Sequence, residues 1–180
     1  MISAHFAPAF VIKAARPDLH LGWLMACCYS NDLLHFILCA LGKEKLRGEA
    51  NYSHSLLGTA ALTAAVFVLS LLLTTDLSSA LAYTVCAASH FIFDLLNHRS
   101  MPVLPHWGAV PGLGWYCHER KKFACLLEWI LFLGSWTVYF LASLARGESI
   151  VLPIFLVLCL SFVMLFYFRI YEPMFFERDK

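Results

Sequence analysis

Five long apolar runs constrain this chain more than any other feature. A helix needs about 20 mostly apolar residues to cross a bilayer core, and windows near residues 19–41, 55–74, 78–97, 123–145 and 150–171 meet that requirement. A shorter segment, 3–16, precedes them; as a helix rising about 1.5 Å per residue it covers about 21 Å, most of a bilayer core. With 61% hydrophobic and 14% charged residues over 180 positions, too few charges exist to coat a soluble globule. The expected architecture is therefore all-α: a single integral membrane domain over 1–180, with five transmembrane helices and a short N-terminal membrane-embedded helix.

The formal charge of +1 leaves no basic face for a polyphosphate, so nucleic acid is excluded as a partner. Membrane lipids and lipid-like small molecules remain. Seven cysteines lie mostly within apolar runs without a C-x-x-C pair and read as small apolar fillers. No basic residue precedes the first apolar run, and Pro8 and Lys13 interrupt it, so a cleaved secretory leader is not expected.

Lys and Arg set the expected orientation. In the five-helix plan, Lys43, Lys45, Arg47, Arg99, Arg120, Lys121, Lys122, Arg169, Arg178 and Lys180 fall on one side; Lys13, Arg16 and Arg146 fall on the other. Ten against three places the first set, and both termini, in the cytoplasm. The polar residues inside the spans follow the same sidedness. His5, Asp32, His35, His54, His90, Asp94 and His98 all belong to the cytoplasmic ends of their segments, whereas His20 lies opposite. Asp32 and His35 are spaced i, i+3 and His90 and Asp94 i, i+4, so each pair shares one helix face. Imidazole and carboxylate together suit Zn²⁺, Fe²⁺ or Mn²⁺, and helix bundles hold such ions with inward-facing ligands. A carboxylate near the bilayer centre otherwise costs about 2.5–3.5 kcal/mol on insertion scales, which a bound cation offsets. The bland alternative is a His–Asp hydrogen-bond pair that fixes helix packing.

The blocks AHFAPAF, NDLLHF, NYSHSLLG, SHFIFDLLNHRSMPVLP and GLGWY, spread over residues 3–140, resemble the small bacterial inner-membrane proteins grouped as membrane-bound metal-dependent hydrolases. The resemblance implies His5, Asp32, His54, His90 and Asp94 as metal ligands. At the third block many relatives carry a basic residue shortly before the His, which NYSHS lacks. The expectation is a membrane-embedded hydrolase with a divalent metal, most simply zinc, acting on an ester or phosphoester of an amphiphilic substrate at the cytoplasmic leaflet. Asp32 or His35 would serve as general base. Rival expectations are a metal or proton transporter and a non-catalytic scaffold with a structural metal. The Gly- and Pro-containing segment 98–122 cannot be a regular helix and suits a lid; its basic residues also fit ordinary positive-inside anchors.

Overall fold

The computed structural model describes residues 3–45, 52–105, 107–115 and 121–166. A 3₁₀ turn, Ala4–Phe6, leads into α1 (Ala7–Ala15), α2 (Leu21–Cys28), α3 (Ser30–Ala40), α4 (Leu56–Thr74) and α5 (Leu77–Asn97). An antiparallel hairpin follows, β1 (Ser100–Leu104) with β2 (Trp107–Pro111), then α6 (Lys121–Ala145) and α7 (Val151–Phe166). The protein is thus mostly helical. Three helices, α4, α5 and Lys122–Ala145 of α6, are long and apolar enough to cross a membrane. Their outward faces fit that reading: Leu72 and Leu73 on α4 and Ile130 on α6 remain more than half exposed.

The expected five-helix plan needs correction at one place, and at another it runs beyond the described residues. The window 19–41 is not one helix: α2 and α3 meet at 60°. The N–H of Tyr29 is shared between the Met25 and Ala26 carbonyls, and Ser30, Asn31 and Asp32 follow, residue types whose side chains compete with helix hydrogen bonds. Buried Asn31 donates instead to the Ser53 carbonyl (3.0 Å) and Thr59 Oγ1 (2.6 Å). That ties the start of α3 to the start of α4. In the last window, α7 is described over 16 residues, short of a full crossing by length; residues 167–171 lie outside the described residues.

Segment 98–122 also differs from a plain loop, since much of it is the hairpin. The final carbonyls of α5 have no partner within the helix, and the chain after the hairpin supplies them. Leu113 N–H donates to Leu95 O (2.8 Å), and Trp115 N–H to Leu96 O (3.0 Å). Gly112 passes so close to the Leu95 and His98 carbonyls that a Cβ there would collide with both. His106, His118 and Arg120 are outside the described residues.

Phe10 of α1, Leu24 and Cys28 of α2, Cys86 of α5 and Phe132 of α6 are fully buried and form the heart of the bundle. Polar groups sit at its two ends. At one end Arg16 pairs with Asp18 (2.7 Å) and Asp76 (3.7 Å), and Arg146 pairs with Glu148 and donates to Ala14 O. Asp76 also caps α5, accepting from Ser78 N–H and Ser79 N–H. His20 belongs to this end as the N-cap of α2, its Nδ1 accepting from Trp23 N–H.

Candidate metal centre

At the other end, four chain segments bring His5, Asp32, His54, His90 and Asp94 together. His90 and Asp94 face the same way from the last turns of α5, with His90 Nε2 3.3 Å from Asp94 Oδ2. Asp32 stands in the first turn of α3 because of the break at Tyr29, and its Oδ2 lies 3.8 Å from His90 Nε2. His54 precedes the Ser55 cap of α4; its Nε2 is 3.2 Å from Asp32 Oδ1 and 3.7 Å from Asp94 Oδ2. His5, in the 3₁₀ turn, reaches Asp94 Oδ1 at 3.5 Å, and its ring lies 4.3 Å from that of His90. Two overlapping groups, His5–His90–Asp94 and Asp32–His54–His90, each place their donor atoms within 4.8 Å of one another.

These spacings can be compared with those an ion would impose. Donor atoms about 2.0–2.2 Å from one tetrahedral ion lie about 3.3–3.6 Å apart. The five N···O pairs here run from 3.2 to 3.8 Å. The protonation of His90 points the same way. Its Nδ1 lies 2.8 Å from the Cys28 carbonyl, an acceptor, so that nitrogen donates its hydrogen there. In the neutral imidazole Nε2 then carries a lone pair, and it faces two carboxylates. Lone pairs opposed at that distance repel unless a cation lies among them or a second proton is bound. Asp94 Oδ2 and both ring nitrogens of His5 are buried without a hydrogen-bond partner, a costly arrangement that an ion would relieve. The donor set therefore fits a divalent metal by type, spacing and unmet polar demand.

Exposure is uneven across the cluster. The side chains of His5, His90 and Asp94 are buried, whereas Asp32 is 30% exposed. Of these residues Asp32 is the one that opens the centre to the surface.

His35 stands apart from both groups. Its Nδ1 lies 2.7 Å from Glu44 Oε2, and its ring centroid is 5.8 Å from that of His54. Glu44 also binds Ser53, whose Oγ is 2.8 Å from His54 Nδ1. His98 caps the end of α5 and is exposed. Two acidic residues near the centre escape sequence reasoning. Glu44 lies between Lys43 and Lys45, in a linker whose sequence shows only its sidedness. Fully buried Glu128 of α6 accepts from the N–H groups of Ser3 (2.6 Å) and Ala4 (3.3 Å), fixing the turn that carries His5. Glu128 had a legible mark, as the one charged residue within 123–145; for Glu44 only the fold reveals the partner.

Comparison with protein-family models, with curated proteins and with solved structures found no match.

Proposed function

We propose that this chain is a membrane-embedded metal-dependent hydrolase that cleaves an ester or phosphoester of an amphiphilic substrate at the cytoplasmic leaflet. The observation that carries the reading is the convergence of three imidazoles and two carboxylates in two overlapping groups that share His90, each with its donor atoms at metal-ligand spacing. His5, His54 and His90 would hold the metal as neutral ligands, Asp32 and Asp94 as anionic ones, a donor set that suits zinc. When bound, such an ion brings the pKa of a coordinated water toward about 7 and polarises the scissile oxygen.

The protein's own groups divide the remaining work by burial. His5, His90 and Asp94 are enclosed and orient the centre, and Glu128 holds the backbone that carries His5. Asp32, the most exposed of the five, is placed to take a proton from an incoming nucleophile at its carboxylate. His35, engaged with Glu44, is the weaker choice for that role. The resemblance to membrane-bound hydrolases adds the reaction class, and the apolar helix faces add the amphiphilic substrate. The missing basic residue before His54 removes one phosphate clamp, so Arg99 or the Arg120–Lys122 run would have to meet a phosphate headgroup.

A transporter is disfavoured by what lies beyond the centre. Phe10, Leu24, Cys28, Cys86 and Phe132 fill the bundle between the His/Asp cluster and the Arg16–Asp76 end, where a polar path would be needed. The test is hydrolysis of a panel of lipid esters and phosphoesters in detergent micelles by zinc-loaded protein, with a chelated control. Turnover that chelation abolishes supports the enzyme. Metal-loaded protein inert to the whole panel favours a scaffold with a structural metal.

A further inference from the structure

We infer that Glu44, acting through Ser53, fixes the tautomer of His54 that leaves Nε2 free for metal, and is therefore a positioning residue of the centre. The inference rests on the metal-centre reading above. Buried Glu44 collects four donors. Tyr52 N–H (2.6 Å) and Ser53 N–H (2.9 Å) meet Oε1, while the Ser53 hydroxyl (2.8 Å) and His35 Nδ1 (2.7 Å) meet Oε2. An ionised carboxylate only accepts. The one hydroxyl hydrogen of Ser53 is thus committed to Glu44, and Ser53 Oγ can meet His54 Nδ1 at 2.8 Å only as an acceptor. His54 must then carry its hydrogen on Nδ1, and its Nε2 lone pair faces Asp32 and Asp94. A hydrogen-bond partner behind a ligating histidine fixes tautomer and ring orientation in just this way; here the carboxylate works through an interposed serine.

The arrangement reverses under an isosteric change. In Glu44→Gln the two backbone N–H groups still require an oxygen at the Oε1 position, so the new amide nitrogen replaces Oε2. It donates to Ser53 Oγ, Ser53 turns its hydrogen onto His54 Nδ1, and His54 is left with its hydrogen on Nε2, the nitrogen the metal needs. Ser53→Ala removes the link and leaves both tautomers accessible.

The experiment combines ¹⁵N NMR of the histidine rings in micelle-solubilised protein, made without metal, with zinc titration. Wild type should show a hydrogen on His54 Nδ1. Glu44→Gln should switch it to Nε2–H and weaken zinc binding by about 10- to 100-fold. In the Ser53→Ala background the same substitution should add no further loss. Retention of Nδ1–H in Glu44→Gln, or an equal loss of affinity with Ser53 absent, overturns the inference. Should Glu44→Gln fail to fold, Ser53→Ala decides: mixed tautomers support the relay, and a pure Nδ1–H form contradicts it. A wild type that binds no zinc but shows the Glu44-dependent switch would sink the metal reading and leave the control of His54 by Glu44 standing.

Discussion

The two ring nitrogens of His90 have separate work, one held by the Cys28 carbonyl and the other turned toward Asp32 and Asp94. The same division recurs around the centre, where buried acids that touch no ligand atom set the geometry of those that do. Glu128 is one such acid. Replacing it with Ala leaves the Ser3 and Ala4 N–H groups without that acceptor in a buried site, at a cost of roughly 1–3 kcal/mol. Thermal unfolding in detergent should show a lower midpoint for Glu128→Ala, and zinc affinity should fall because His5 loses its anchor; an unchanged affinity would detach Glu128 from the centre. Glu44 makes a pH-dependent contribution. Burial works against its charge, but the hydrogen bonds from Ser53, His35 and Tyr52 outweigh that and hold the carboxyl below its ordinary value of 4.5. A carboxyl lowered on folding stabilises the protein above its unfolded pKa and loses that contribution as pH falls through the folded one. Stability measured downward from pH 4.5 should therefore decline less steeply in Glu44→Gln than in wild type. Parallel declines would show that Glu44 contributes nothing to acid sensitivity.

At the scale of elements, the site depends on where helices begin, bend and end. His54 sits just before the Ser55 cap of α4, Asp32 just after the bend at Tyr29, and Asp94 one turn before the end of α5. Such positions are hard to read from hydropathy, which sees the run 19–41 as continuous and cannot weigh Asn31's bonds to Ser53 and Thr59 against one more helical turn. The hairpin was equally hidden: Pro102, Pro105 and Pro111 exclude a helix without specifying a pairing. The ligand candidates were legible because His and Asp are conspicuous in apolar sequence. Their partners were not, because Ser53 and Glu44 are ordinary in a polar linker. Gly58 tests the element-level account. A Cβ there would run into the Tyr52 carbonyl, a backbone atom that cannot move without disturbing the His54 turn. Gly58→Ala should lower both the thermal midpoint and zinc affinity; a variant as stable and as metal-competent as wild type would show that this close approach does not hold the turn.

For the whole molecule, polarity is segregated end to end, with the His/Asp cluster and the Arg16–Asp76 pair separated by the apolar core. The grouping of His and Asp at one end was legible because it follows from where these residues fall along each apolar segment rather than from contacts. The number of crossings was less legible, since a bent pair such as α2 and α3 and a continuous span have the same hydropathy. Reporter fusions at the N-terminus, within 42–52, within 98–122 and at the C-terminus should all report the cytoplasm, and a C-terminal reporter active only outside would overturn the proposed orientation. The central claim, that these five residues form a metal centre, is tested most directly by metal content per chain in detergent-purified protein after zinc loading and removal of excess ion. The account predicts stoichiometric zinc in wild type and in His20→Ala, and a sharp loss in His90→Ala and Asp94→Ala; equal zinc in all four proteins, or none in wild type, would contradict it.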